Sequence, residues 1–150
     1  MNLNIQNCSF EKCSSSALFI MGQRPINTNQ LPVSPIVTYV NNCLFSNNTS
    51  AYGGAIYGYY TNLTVLNSNF YFNSVSSTGG AIYIDQSYSF TNVVFQNNVA
   101  YNGGAAVSCN GAIGSAVNVI INGNQDSVPF GNGNGAGCGW LFWIKRHFIN

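Results

Sequence analysis

Charge is nearly missing from this chain. Only 5% of its 150 residues are charged, against about 25% in an ordinary soluble domain, and the formal net charge is +1. That excludes the basic patch on which nucleic-acid binding rests, so no nucleic-acid partner is expected. Long apolar runs are missing too. Apolar residues are scattered among Asn, Ser, Thr and Gly, and no run approaches the roughly 18–20 residues of a membrane span. Acids are few: Glu11, Asp85 and Asp126 are all there are, and His147 is the single histidine. The five cysteines contain no C-x-x-C pair, so no zinc site, no other metal and no cofactor is expected. No basic and apolar leader follows Met1. Either the protein does not use that export route or the chain is a fragment, and the repeat described next favours the fragment.

What the sequence does have is a period. Phe45, Phe70 and Phe95 recur every 25 residues, each with Asn three before (Asn42, Asn67, Asn92) and Asn three after (Asn48, Asn73, Asn98). Degenerate copies of this N-x-x-F-x-x-N frame stand at Asn7-Phe10-Cys13 and Asn118-Ile121-Asn124. Five residues before the anchor, Ile5, Val40, Val65, Phe90 and Ala116 are all apolar. Further on, Gly53-Gly54, Gly79-Gly80 and Gly103-Gly104 each lead into Ala and an apolar residue, and Ala17-Leu18-Phe19-Ile20 takes that place in the first copy.

A period near 25 with Asn, Gly, Thr and Tyr suits no helical hairpin repeat, which needs about 33–47 residues and helix formers. Short strands separated by Asn and Gly turns fit an all-β fold, a single-stranded parallel β-helix of about five coils. Its coils stack about 4.8 Å apart, the spacing of paired strands, and each buries its inward face only against its neighbours. Phe10, Phe45, Phe70, Phe95 and Ile121 are expected to form an inward stack. Asn48, Asn73, Asn98 and Asn124 are expected to form an amide ladder at a corner, with donors and acceptor both used. The glycine pairs let the chain turn where a Cβ is excluded. Ile56, Ile82 and Ala106 are assigned inward, which turns Phe19, Tyr57, Tyr83 and Val107 outward.

F-x-x-N with G-G-A-I at this period resembles the passenger domains of the polymorphic outer membrane proteins of chlamydiae. The matching residues are Phe45/Asn48 with Gly53–Ile56, Phe70/Asn73 with Gly79–Ile82, and Phe95/Asn98 with Gly103–Ala106. The resemblance spans residues 36–110 and, more loosely, 1–20. It implies a right-handed β-helix within the wider pectin-lyase-like group and an autotransporter-like surface protein implicated in adhesion. It also implies further β-helix coils of a longer protein, and an extracellular, cell-surface or outer-membrane location (cytosolic if the chain is complete). The family's C-terminal barrel has no counterpart in this sequence.

Four segments follow: a degenerate first coil at 1–20, an inserted loop at 21–35, coils at 36–125, and a Gly-rich, aromatic tail or cap at 126–150. The prolines Pro25, Pro32 and Pro35 keep the insertion out of any central strand. Cys8 and Cys43 share a column in successive coils, and they read equally as a disulfide or as small stacked residues. No catalytic residue is expected. Glycoside hydrolysis needs two carboxyl groups about 5–10 Å apart, and the three acids fall in different coils and columns. Binding is the favoured activity. Phe19, Tyr57 and Tyr83, widened by Tyr59 and Tyr60, would form an outward stripe suited to a protein or glycan of a host or neighbouring cell; equally, the rings would merely cover the sheet. The resulting expectation is a non-catalytic, adhesin-like or structural segment of a surface or secreted protein. The alternative is a fragment of a carbohydrate-active or carbohydrate-binding β-helix protein.

Overall fold

The computed structural model describes residues 1–25 and 34–127, and every regular element among them is a β-strand. The first turn of the chain carries β1 (Asn2–Gln6), β2 (Ser9–Glu11) and β3 (Leu18–Met21). The second carries β4 (Ile36–Asn41), β5 (Leu44–Ser46), β6 (Thr49–Ser50) and β7 (Ile56–Tyr59). The third carries β8 (Thr61–Leu66), β9 (Asn69–Tyr71), β10 (Ser74–Val75) and β11 (Ile82–Ile84). The fourth carries β12 (Ser87–Gln96), β13 (Val99–Ala100) and β14 (Val107–Cys109), and β15 (Ile113–Asn122) with β16 (Gln125–Asp126) begins a fifth.

Strands of successive turns pair in parallel and build three walls. The broad wall runs β1-β4-β8-β12-β15 and continues around a bend through β2, β5 and β9. The second wall is β6-β10-β13-β16 and the third β3-β7-β11-β14. This is a β-solenoid of about four turns rather than five. Among the described residues, the fifth repeat supplies β15 and β16 but no strand to the third wall.

The bends follow from the motif. Asn7, Asn42, Asn67, Asn92 and Asn118, the first residue of each N-x-x-F, all lie at φ between 47° and 55°. Asn is among the few residues with a Cβ that visit this left-handed region readily. A second left-handed column falls two residues after each Phe, at Lys12, Asn47, Phe72 and Asn97. The chain bends at both columns, and the Asn that follows the second is thereby turned inward.

Inside, Phe10, Phe45, Phe70 and Phe95 stack with centroids 4.9, 4.8 and 5.0 Å apart, and Ile121 continues the column opposite Phe95. Beside them Asn48, Asn73 and Asn98 are fully buried. Each donates one Nδ2 hydrogen to the Oδ1 of the next Asn at 2.9 Å, ending at Asn124. The other hydrogen goes to the carbonyl of Phe10, Phe45 or Phe70 in the turn before. Each Oδ1 also accepts a backbone N–H from the preceding turn. Every donor and acceptor of these buried amides is thus used, as burial of a polar side chain requires.

The two glycines of each pair do different things. Gly53 and Gly79 sit at φ 52° and 76°, where a side chain is strained. Gly54 and Gly80 are not left-handed; a Cβ there would run into the carbonyl oxygens of Gly80 and Ala105 in the following turn. In the fourth turn one more residue lies between the glycine pair and the paired inward position (Gly103 to Val107) than in the second and third (Gly53 to Ile56, Gly79 to Ile82). Both Gly103 and Gly104 have positive φ, and the Ala81 N–H is shared between Ala105 and Ala106 carbonyls. The inward assignment of Ala106 is therefore corrected: Val107 pairs with Ile82 and is buried, and Ser108 pairs with Tyr83.

Candidate functional site

The third wall holds the outward aromatic residues. In β3, β7 and β11 the alternation of a strand sends Leu18, Ile56 and Ile82 inward and Phe19, Tyr57 and Tyr83 outward, in register with one another. Phe19 and Tyr57 stack at 4.9 Å and 8° between planes, and Tyr57 and Tyr83 at 5.1 Å and 8°. Tyr52, in the loop before Gly53, sets its edge against both tyrosines. Phe19 is 62% exposed, while Tyr57 and Tyr83 are half-buried. Burial pushes the Tyr57 hydroxyl above its ordinary pKa, with the neighbouring Tyr83 adding to the shift. The column ends where Ser108 follows Tyr83, and Asn110 Nδ2 donates to the Tyr83 hydroxyl at 3.1 Å.

A second outward column lies beside the first. Met21 pairs with Tyr59, and the Arg24 guanidinium sits 5.2 Å from the centre of the Tyr59 ring, a cation–π contact. Arg24 also donates to Asp85 Oδ2 at 2.7 Å. The Asp85 side chain is wholly buried, and its Oδ1 accepts the Tyr60 N–H at 2.6 Å. Tyr60 itself takes a left-handed turn (φ 51°) at the corner between β7 and β8. Arg24 thereby fastens the start of the inserted loop to the third wall, and Met21, placed in the loop by sequence, is the last residue of β3. Nothing periodic in the sequence links two residues 61 apart. A lone acid in an apolar strand (I-Y-I-D) was the one available signal.

The remaining candidates are dispersed. Glu11 accepts from Ser9 Oγ, and Asp126 Oδ1 from the Ala105 N–H. The three carboxylates therefore serve three separate local structures. Among the described residues no group of three or more His, Cys, Asp or Glu side chains could hold a metal ion. Cys8 and Cys43 do share a column, but they are free thiols, as is Cys13. In-register parallel neighbours point their Cβ atoms the same way about 4.8 Å apart, wider than the roughly 3.5–4.5 Å of a disulfide. Instead the Cys8 thiol donates to the Gln6 carbonyl and Cys43 to that of Asn41, and burial raises the Cys43 pKa. Residues 128–150, assigned to a tail or cap, and 26–33 of the insertion lie outside the described residues.

Fold and surface together define a class: a parallel β-solenoid held by internal side-chain ladders, with one aromatic outer wall. The model of the Chlamydia polymorphic membrane protein repeat matches the chain at two places, residues 42–59 and 92–110. The chain carries that repeat, and residues 67–84 between the two matches repeat it in structure, with Phe70, Asn73 and Ile82 in the same columns. No curated protein and no solved structure matches the chain. Repeat and solenoid fit a β-helix segment of a surface protein, point to the outer membrane or cell surface, and suggest a non-enzymatic role. Among the described residues no helix is long and apolar enough to cross a membrane, which says nothing of a β-barrel.

Proposed function

We propose that this chain is an adhesin-like segment of a cell-surface protein. Its solenoid acts as a rigid support, and the third wall contacts a protein or glycan on a host or neighbouring cell. One observation carries this reading: Phe19, Tyr57 and Tyr83 form an aligned outer stack that leaves Phe19 mostly in water, an arrangement the buried core does not need. Exposed aromatic groups clustered on one face are typical of interaction surfaces. The separate engagement of Glu11, Asp85 and Asp126 disfavours the alternative of a carbohydrate-active centre within these turns.

The test is binding of beads coated with the chain to intact cells, counted by flow cytometry. The variant carries Phe19→Ser, Tyr57→Ser and Tyr83→Ser. Bead binding is expected to fall at least tenfold while the circular dichroism spectrum stays that of a β-solenoid. Undiminished binding by a folded triple variant would remove the wall as the contact surface.

A further inference from the structure

β15 is paired along one edge only: among the described residues, every strand partner it has lies in β12. The core is unfinished at the same end. Ile121 continues the phenylalanine column yet is 36% exposed, where Phe95 beneath it is wholly buried. Gly114 and Ala116 stand over Tyr88 and Phe90, so the inward columns shrink in their last turn. The outer side of β15 changes the opposite way. Ile113 and Val117 replace the Ser87 and Thr91 of the turn beneath and are 81% and 60% exposed. The amide ladder stops here too. Asn48, Asn73 and Asn98 each give one Nδ2 hydrogen to an Asn of the following turn, whereas Asn124 gives it to the Asn122 carbonyl of its own turn. An end with a free strand edge and bare apolar groups needs a cover, or it pairs with other chains.

Two observations name the cover. Cys109, the last residue of β14, is disulfide-bonded. Cys8, Cys13 and Cys43 are free thiols, and of the five cysteines only Cys138 remains. The length of chain beyond β16 agrees with that partner. Asp126 pairs with Ala100, and Cys109 lies nine residues after Ala100 while Cys138 lies twelve after Asp126. The second stretch therefore spans the same corner of the rod with three residues to spare.

We infer that residues 128–150 cap this end of the solenoid, tethered by a Cys109–Cys138 disulfide. Bridged Cβ atoms lie about 3.5–4.5 Å apart, closer than in-register neighbours, so the segment crosses the end of β14 instead of extending the third wall by a strand. Two residues after the bridge comes Trp140-Leu141-Phe142-Trp143-Ile144, and β15 starts four residues after Cys109. The apolar run thus arrives over β15, where its backbone meets the free strand edge and its bulk fills the space above Gly114 and Ala116. Lys145, Arg146 and His147 follow directly and supply the polar outer face that a terminal turn needs. The bridge forms by exchange: the two thiols lose two protons and two electrons, and an external disulfide, oxidised glutathione in the experiment below, is reduced to two thiols.

The test uses the full chain folded with oxidised glutathione. Free thiols are alkylated and the protein is digested without reductant. Mass spectrometry is expected to find one linked peptide pair, Cys109 with Cys138, and alkyl groups on Cys8, Cys13 and Cys43. Hydrogen exchange over residues 113–122 is expected to be at least about tenfold slower than in Cys138→Ser, with exchange at the Asn ladder the same in both. A second variant, Trp140→Ser with Phe142→Ser and Trp143→Ser, keeps the bridge and is expected to speed exchange over 113–122 to the same degree. It carries the test where Cys138→Ser fails to fold. Alkylation of Cys109 or Cys138 in the folded chain overturns the tether. A bridged chain whose residues 113–122 exchange as fast as those of the second variant overturns the cap. Protection that rises with concentration, alongside a dimer in sedimentation velocity, also overturns it, because a second copy then covers the end.

Discussion

Two columns of rings run along the same rod. The inner one, Phe10 to Phe95, and the outer one, Phe19 to Tyr83, have the same spacing to within 0.3 Å (4.8–5.0 against 4.9–5.1 Å), and both keep their rings near parallel. Their surroundings are opposite: Phe45, Phe70 and Phe95 are wholly buried, while Phe19 is 62% exposed. Stacking is therefore imposed by the register of the turns and does not itself mark a core or a site. What separates the columns is what each side chain loses when it is removed.

The Asn columns sharpen this contrast most. Asn73→Ala strips a partner from the Phe45 carbonyl, from the Asn48 N–H and from the Asn48 amide, all in the interior. At about 1–3 kcal/mol for each of the three buried groups left unmade, the loss is about 3–9 kcal/mol, comparable with the whole stability of a small domain. Urea titration followed by circular dichroism should show Asn73→Ala largely unfolded. Asn92 belongs to the outer Asn column, donating to Asn67 at 2.9 Å in water. Asn92→Gly, which keeps the left-handed bend at φ 55° and removes only the amide, is expected to cost under about 1 kcal/mol, since exposed polar groups find water instead. Equal losses at the two positions would show that both ladders, and not the buried one alone, hold the turns together.

The ring columns come next. Phe70→Ala leaves a cavity between Phe45 and Phe95 and should cost about 3–5 kcal/mol, against about 1 kcal/mol or less for Tyr57→Ser on the half-buried outer column. Thermal melts of the two variants side by side measure the difference. A Tyr57 variant as unstable as the Phe70 variant would make the outer stack structural and weaken its reading as a contact surface.

A smaller effect is expected at the inserted loop. Arg24→Ala takes the guanidinium away from the wholly buried Asp85 carboxylate, whose Oδ1 still accepts the Tyr60 N–H. Because Arg24 is itself half-exposed, water can take over part of its role, and the loss is about 1–3 kcal/mol. Hydrogen exchange should speed up at Gly22, whose N–H bonds the Tyr59 carbonyl, and leave the Asn ladder unchanged. Faster exchange throughout the rod would mean that the clamp holds more than the loop.

These positions also divide what the sequence reveals from what it hides. Phe45, Phe70, Phe95 and their Asn partners were legible because each meets the same neighbours in every turn, so the same residue recurs. The left-handed Asn bends were less so: N-x-x-F gave the column, but not that its Asn faces water and bends the chain while the later Asn is buried. The facing of Val107 is hidden because the segment between each Phe and its third-wall strand varies in length: Ile56 stands 11 residues after Phe45, Ile82 12 after Phe70 and Val107 12 after Phe95. Arg24 and Asp85 meet once, across an insertion, and a contact made once leaves no period. The outer stripe was legible as residues, but the exposure that separates Phe19 from the half-buried Tyr57 and Tyr83 appears only in the structure.

The smallest effect runs the other way and lies inside the rod. Thr38 occupies an inward column with Leu3, Leu63 and Tyr88. It is wholly buried, and among the described residues its Oγ1 is the one buried side-chain polar atom without a hydrogen-bond partner. The amides of Asn48, Asn73 and Asn98 are equally deep but fully bonded, so depth alone does not make a polar group costly here; an unmade bond does. Thr38→Val removes the hydroxyl and keeps the branched shape that β4 favours. It is expected to stabilise the fold by about 1 kcal/mol, the lower end of the penalty for an unsatisfied buried hydroxyl. At this chain length that is a rise in Tm of about 2–4 °C. A fall in Tm would mean that the hydroxyl has a partner in solution, such as a buried water, and that the interior of the rod is satisfied at every polar position.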